Sequence, residues 1–547
     1  MRPLHRLIAA AAVAACLTAG ASAHAQSGPV VDAPAGAAMG KAEGAVHVFK
    51  GLPYAAAPVG PARWTPPRPL PRWSGVRDAT RFGPACIQPL SGPGNIYADD
   101  QPSMSEDCLS LNVWTPKTAH DAPVMVWIHG GALVGGASSE AVYDGARLAQ
   151  RGIVVVSINY RLGVLGYLAH PGLSAESPDG VSGNYGLLDQ IQALRWMKAN
   201  IAAFGGDPSK VTIAGESAGG LSVMYLMASP PARGLFSKAI AESAYMISTP
   251  SLRERRFGET PAEESGVTLA RRLHAPDIAA LRAMDARALS KASIAAGFAP
   301  FGVVDGKVLP RQLVDAFDRG EQAHVPILAG FNAGEIRSLR FLAPPAPASA
   351  AVYEKTIRDR YGDLADAYLK LYPASTMQES ILAGTRDAIY GWTAERLVKK
   401  QAAVGQPAFL YLFDHGFPAA DNAGLHAFHA SEAPFVFGTL DRTPAQWPKD
   451  SPTGAEAKLS DAMTDYWSSF VLTGVPTAAG APAWPDFSAG GGLLVIQAEP
   501  KAYTDVFPGM YALHEAVVCR RRASGDVAWN WNMGLASPPL PAKAPGC

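Results

Sequence analysis

The chain has 547 residues, 48% hydrophobic and 17% charged, so it can bury a large core. Its 47 basic and 47 acidic residues cancel, and no basic block exceeds Arg520-Arg521-Arg522. A nucleic-acid partner therefore has no electrostatic support, and those three arginines read as a solvated patch.

At the N-terminus, Arg2 and Arg6 precede an apolar run from Leu7 to Ala19 and the small residues Ala21-Ser22-Ala23-His24-Ala25. This is the pattern of a secretory signal peptide, predicted to be cut after Ala25, with Ala23 as the alternative. Val13-Ala14-Ala15-Cys16 loosely resembles a bacterial lipobox, which would leave a lipidated Cys16 at the mature N-terminus. Leu17 and the downstream A-x-A pattern suit ordinary cleavage better. The run is too short for a comfortable membrane span and no later run is long enough. The expectation is a leader over 1–25 and an exported, soluble protein, secreted or periplasmic, over 26–547.

Without the leader four cysteines remain: Cys86, Cys108, Cys519 and Cys547. An even count in an oxidising compartment reads as two disulfides. Sequence proximity pairs Cys86 with Cys108 and Cys519 with Cys547, with free thiols as the alternative, above all at Cys547. Each closure is worth roughly 3 kcal/mol through restriction of the unfolded chain.

Residues 26–45 are rich in Ala, Gly and Pro and are expected to enter the fold loosely. Beyond them, Val124-Met125-Val126-Trp127-Ile128 and Ile153-Val154-Val155-Val156-Ser157-Ile158 are continuous apolar runs, as in strands covered on both faces. Leu187, Ile191, Leu194 and Ile201 make a helical stripe between Tyr185 and Phe204. Val211 to Ala214, Val325 to Phe331 and Phe409 to Phe413 supply further buried strands. Strands alternating with helices predict an α/β fold with a mostly parallel central sheet flanked by helices. The stretches 251–300 and 340–400 carry helical patterns and are expected to form cap insertions over the sheet edge. Length alone would suggest three or four domains, but the motifs below argue for one.

Gly215-Glu216-Ser217-Ala218-Gly219 follows the strand run ending at Ala214 and opens a helix-patterned segment from Gly220 to Met227. A serine between glycines at a strand-to-helix turn is the pattern of a nucleophile elbow. The turn is too sharp for side chains at 215 and 219, and the helix start favours developing negative charge at Ser217. Serine hydrolysis further needs a base, a carboxylate to orient it, and N–H donors for the oxyanion. His129-Gly130-Gly131-Ala132, ending the strand at Ile128, is a turn that presents such donors, assigned to the N–H groups of Gly131, Ala132 and Ala218. In α/β-hydrolases the acid follows the serine and the histidine follows the acid. Many acids follow Ser217. Glu335 stands just past the strand Val325 to Phe331, at the active edge of a sheet, and Asp305 in Val303-Val304-Asp305-Gly306 is the rival, read as a structural turn residue. His415, His426 and His429 remain for the base.

At this point the chain is similar to the type-B carboxylesterases, which include para-nitrobenzyl esterases, animal carboxylesterases and cholinesterases. Phe204-Gly205-Gly206-Asp207-Pro208-Ser209-Lys210 through Gly219 resembles the family's serine signature, and Ser105-Glu106-Asp107-Cys108-Leu109-Ser110-Leu111-Asn112-Val113 its second signature. Gly51-Leu52-Pro53-Tyr54, Asn159-Tyr160-Arg161 and Gly183-Asn184-Tyr185-Gly186-Leu187 through Trp196 match too, so the likeness runs from about residue 46 past 470 and implies one α/β-hydrolase domain. The resemblance puts the catalytic acid at Glu335, in Gly330-Phe331-Asn332-Ala333-Gly334-Glu335. Ile336 departs from the small residue usual there and puts the loop's packing in doubt. It puts the catalytic histidine at His429, in Ala427-Phe428-His429-Ala430-Ser431-Glu432, leaving His415 and His426 as exposed loop residues. The expected activity is ester hydrolysis through Ser217, His429 and Glu335 and an acyl-enzyme, with no cofactor. No H-E-x-x-H or paired C-x-x-C occurs, so a metallohydrolase lacks ligands.

Two alternatives follow from the same likeness. Adhesion members of the family are non-catalytic binding proteins that lack the serine, whereas Ser217, Glu335 and His429 are all present here. Cholinesterases place a tryptophan between the first paired cysteines to meet a quaternary ammonium; between Cys86 and Cys108 this chain has only Tyr97. For substrate shape, Leu133, Val134 and Met246 are candidates for an apolar pocket but fit plain core equally, and Arg337 and Arg340 could steer an anionic ester but read as solvated surface. The expected partner is a small-molecule ester.

Overall fold

Val124, Val126 and Ile128 pack into one hydrophobic cluster, while the intervening Met125 and Trp127 pack into another. Successive side chains of a strand point to opposite faces, so a continuous apolar run means a strand covered on both sides. Burial of each such side chain is worth about 2 kcal/mol over leaving it in water. The computed structural model describes residues 28–547 apart from 91, 93, 99, 100, 102, 450 and 530–532. The expected leader, with Cys16, Ala23 and Ala25, lies outside the described residues.

The strand runs assemble into one 11-stranded sheet. In chain order its members are Lys41–Glu43 (β1), Val46–Pro53 (β2), Ser110–Pro116 (β3), Ala122–Ile128 (β4), Val154–Ile158 (β5), Gly206–Glu216 (β6), Lys238–Glu242 (β7), Ile327–Asn332 (β8), Ala408–Phe413 (β9), Leu493–Ile496 (β10) and Lys501–Tyr503 (β11). Their order across the sheet is β11-β10-β9-β8-β7-β6-β4-β5-β3-β2-β1. From β5 to β10 every neighbouring pair is parallel, and only the margins are antiparallel. The predicted strands are all present, with β6 starting five residues earlier than its apolar run, at Gly206.

Tyr185–Asn200 (α1) and Ala218–Ala228 (α2) cover one face. The short Glu335–Ser338 (α3) follows β8, and Trp392–Ala403 (α4) lies against β8 and β9 on the same face as α1. Ala433–Phe437 (α5) and Gly454–Thr473 (α6) cover the other face, and Met510–Ser524 (α7) closes the chain. α6 starts where Thr453 and Glu456 cap each other's backbone N–H groups and stops at Gly474, whose φ of 85° the helix cannot continue. Among the described residues no helix is long and apolar enough to cross a membrane.

Two expectations need correction. Residues 26–45 do not enter loosely where they are described: Val30–Ala33 and Gly36–Met39 pair as a hairpin, and β1 follows at the sheet margin. Their small side chains serve close packing, since a Cβ on Gly36 would lie 2.4 Å from the Trp73 ring. Residues 251–300 and 340–400 are helical as expected, but α4 is a flanking helix of the sheet rather than part of a cap. The tyrosine-rich helices Ala350–Tyr361, Ala365–Leu371 and Met377–Arg386 instead form a separate cluster against α7. Both disulfides are formed, Cys86–Cys108 and Cys519–Cys547, with Cα atoms 5.0 and 5.7 Å apart.

Candidate active site

β6 runs straight into α2 through a single residue. Ser217 stands at φ 57°, ψ −119°, a backbone state that L-residues avoid and that persists where the surroundings impose it. The flanking glycines are dictated by close approach: a Cβ at Gly219 would lie 2.0 Å from the Ile128 carbonyl oxygen, and one at Gly215 2.6 Å from the Gly219 backbone. Ser217 Oγ is thereby held at the N-terminus of α2 and lies 2.9 Å from His429 Nε2.

His429 comes from the loop between β9 and α5, and its Nδ1 lies 2.5 Å from Glu335 Oε2. Glu335, fully buried at the end of β8, also accepts the Asn332 backbone N–H through Oε1 at 2.9 Å, which fixes the carboxylate's rotation. The next residue, Ile336, is 1% exposed and packs in the main core, so the departure there is absorbed by apolar burial. Asp305 accepts the N–H groups of Lys307, Val308 and Leu309, as a structural turn residue does. His426 is half-buried rather than exposed as expected, held between Asp414 and Asp421. His415 corrects the expectation of an exposed residue: it is half-buried, with its ring edge-on to Phe435.

Beside Ser217, the turn after β4 carries Gly131, Ala132 and Leu133 at φ 95°, 55° and 59°. Only glycine fits at 131, where a Cβ would lie 2.2 Å from Gly135 O. The two left-handed non-glycine residues store strain of order 1 kcal/mol each, as happens at functional sites. The turn is pinned by Tyr160, whose hydroxyl donates to His129 O at 2.8 Å and whose ring stacks on His129. Burial pulls His129 down to about 4, keeping it neutral. Ala218, first residue of α2, has no intrahelical acceptor for its N–H. Leu133 and Met246 are core residues and Val134 is half-buried; Arg337 pairs with Glu379, and Arg340 is exposed.

Reading by pattern missed the carboxyl groups around this line. Glu216 Oε1 lies 3.1 Å from His429 Nε2, at ion-pair distance but without hydrogen-bond geometry. Glu432 is hydrogen-bonded to Asn332 Nδ2, and Glu242 accepts Trp467 Nε1–H at 2.7 Å. Burial lifts Glu216 to about 8, with Glu432 and Glu335 adding to the shift and His429 opposing it. Burial likewise lifts Glu432 to about 7, reinforced by Glu335. Burial alone would depress His429, but Glu216, Glu335 and Glu432 overcome it and raise it to about 9. The 2.5 Å contact with Glu335 anchors that upward shift. Glu216 stands in the elbow itself and Glu432 three residues past His429, yet nothing local says that their side chains turn inward.

Two rings complete the surroundings. Tyr390, on the single π-helical turn Asp387–Gly391 between Met377–Arg386 and α4, lies with its ring centre 5.2 Å from that of His429. Such turns are rare and recur at functional sites. Tyr97, from the loop closed by Cys86–Cys108, meets the same imidazole edge-on at 6.1 Å. One cavity lined by Arg63, Cys86, Glu106 and Leu165, and another lined by Phe417, Phe435, Leu440 and Glu456, include none of the three hydrogen-bonded residues. Ser217 is 9% exposed and His429 5%, while the adjoining Gly131 and Ala132 are exposed.

The chain as a whole has relatives among known proteins. A model of the carboxylesterase family matches residues 27–510. The chain is 38% identical over 472 residues to a fumonisin B1 esterase of Sphingopyxis macrogoltabida, covering 83% of this chain and 84% of that protein. It is 37% identical over 472 residues to a para-nitrobenzyl esterase of Bacillus subtilis, covering 84% of this chain and 92% of the relative. A solved para-nitrobenzyl esterase structure superposes with a TM-score of 0.76 at 33% identity, over 88% of this chain and 99% of that one.

Proposed function

The chain belongs to the carboxylesterase family and is a carboxylic ester hydrolase; from that premise we propose that it is an exported serine esterase working through Ser217, His429 and Glu335. One observation carries the reading: the unbroken line from Ser217 Oγ through the two ring nitrogens of His429 to Glu335, with contacts of 2.9 and 2.5 Å. Neutral His429 takes the Ser217 proton at Nε2 as Oγ attacks the ester carbonyl carbon. Glu335 accepts from Nδ1–H, which fixes the tautomer and stabilises the imidazolium. The N–H groups of Gly131, Ala132 and Ala218 receive the oxyanion; a lost donor of this kind typically costs 10²–10³ in kcat. On collapse the alcohol leaves with the proton from Nε2, and water cleaves the acyl-enzyme by the same route. Export is supported by the signal-like leader and by two disulfides, which persist in oxidising compartments.

Relatives of similar identity are named for fumonisin B1, para-nitrobenzyl esters and phenmedipham, so relatedness alone selects no single ester. A panel of para-nitrophenyl esters of increasing chain length, extended with anionic and bulky esters, resolves the preference. Ser217→Ala is expected to abolish turnover of a chromogenic ester, and organophosphate labelling with peptide mapping is expected to find the adduct on Ser217. Activity above a few per cent in the variant, or a label elsewhere, refutes the nucleophile.

A further inference from the structure

We propose that Tyr97 is a positioning residue: its hydroxyl clamps the backbone of His429 to the helix that begins at Glu335, so that the two partners of the His–Glu pair are held from the side opposite the sheet. Tyr97 Oη donates to His429 O at 2.9 Å and is 2.7 Å from Ser338 Oγ. With its one proton committed to the carbonyl, Tyr97 accepts from Ser338, the last residue of α3. The bridge thus runs from α3 to His429 without passing through the catalytic hydrogen bond itself.

The His429 loop needs such a hold. His426 and Ala430 on either side of it are left-handed non-glycine residues, at φ 51° and 65°, a strained state kept only by surrounding contacts. From the sheet side the loop is tied by Asn332 Nδ2 to Phe428 O and by Gly334 N to Ala427 O, both 2.8 Å. Tyr97 supplies a tie to the His429 carbonyl itself. Its ring rests edge-on against Trp447, which in turn packs on Phe428. Burial raises the Tyr97 phenol well above its usual value, so it stays a donor throughout the working range. Tyr97 belongs to a segment closed by Cys86–Cys108, so this disulfide lies behind the geometry of the base.

The inference rests on the esterase reading, and its test separates the two. Tyr97→Phe keeps the ring and removes both hydrogen bonds. Loss of one buried hydrogen bond's worth of positioning predicts a fall in kcat of about tenfold with KM little changed. A loosened contact with Glu335 lowers the affinity of His429 for its proton, so the acid limb of kcat/KM moves to lower pH. Ser338→Ala, which breaks one end only, is expected to act in the same direction but less, and to add nothing when combined with Tyr97→Phe. An unchanged kcat and acid limb in Tyr97→Phe, or full additivity of the pair, overturns the clamp even where Ser217→Ala is dead. If Tyr97→Phe does not fold, a Ser338→Ala variant with wild-type kcat and pH profile overturns it alone. Turnover surviving in Ser217→Ala would instead remove the assignment of Ser217, His429 and Glu335 on which the clamp rests.

Discussion

Glu216 is the neighbour that most changes what His429 can do. Its carboxyl lies 3.1 Å from His429 Nε2, the nitrogen proposed to accept the serine proton, and its charge, together with that of Glu335, raises the imidazole. The sign follows directly: a base is useful only when neutral, so a raised His429 moves the acid limb of kcat/KM above the pH 6–7 expected from an ordinary histidine, towards 9. Glu216→Gln removes the nearest of those charges while keeping the shape. The limb should then shift to lower pH by about one unit. A limb that stays put or moves upward in a pH–rate profile refutes this. Ser217 itself was legible in five consecutive residues because an elbow is a local backbone device. That Glu216 faces His429 was not legible, since the pair depends on a contact spanning 212 residues between Ser217 and His429.

Among the elements, the junction of β6 and α2 tolerates least. An alanine at Gly219 would drive its methyl into the Ile128 carbonyl at 2.0 Å, so either β4 or the elbow must move. Gly219→Ala is expected to lower the unfolding midpoint and to cost at least about 10² in kcat, because displacement of about 1 Å at a reacting group has that effect. Wild-type turnover and melting would contradict it. The C-terminal helix α7 behaves differently. It is tied by Cys519–Cys547, across 28 residues, and by Arg520 to Asp363 and Arg522 to Asp315, all away from the serine. Cys519→Ser removes a cross-link worth ~3.5 kcal/mol of unfolded-chain entropy; the unfolding midpoint should fall in denaturant while kcat on a short ester stays unchanged. The buried strands were legible because coverage on both faces writes itself as an unbroken apolar run. The π-helical turn carrying Tyr390 was not, because Asp387–Gly391 reads as ordinary helix until a ring is found over His429.

Across the whole molecule, buried carboxyls set the response to pH. Glu216, Glu432 and His429 each bind a proton more tightly in the fold than in the unfolded chain. Each therefore contributes stability that is complete below its unfolded value, 4.5 for the carboxyls and 6.5 for the imidazole, and lost as pH rises through about 7, 8 and 9. The thermal midpoint should decline from about pH 5 to about pH 9, and the double variant Glu216→Gln, Glu432→Gln should flatten that decline. A midpoint climbing with pH across this window in the parent would contradict the burial of these groups. If the proposed leader is removed as read, the mature protein should begin at Gln26 on N-terminal sequencing; a lipidated Cys16 would replace the signal-peptide reading with an anchored one.

The sequence by itself determined five strands of the parallel middle of the sheet, the elbow, and the turn at Gly131 and Ala132. Each is written in neighbouring residues, as apolar runs, glycines at tight passages or short motifs, because backbone conformation responds to local sterics and burial. Only the tertiary structure decided that Glu216 lies beside His429, that Glu432 is buried on Asn332, that Tyr390 covers the imidazole, and that Tyr97 reaches the His429 carbonyl across 332 residues. Those contacts join side chains from distant loops, and their geometry exists only once the sheet and its helices have fixed where the loops end.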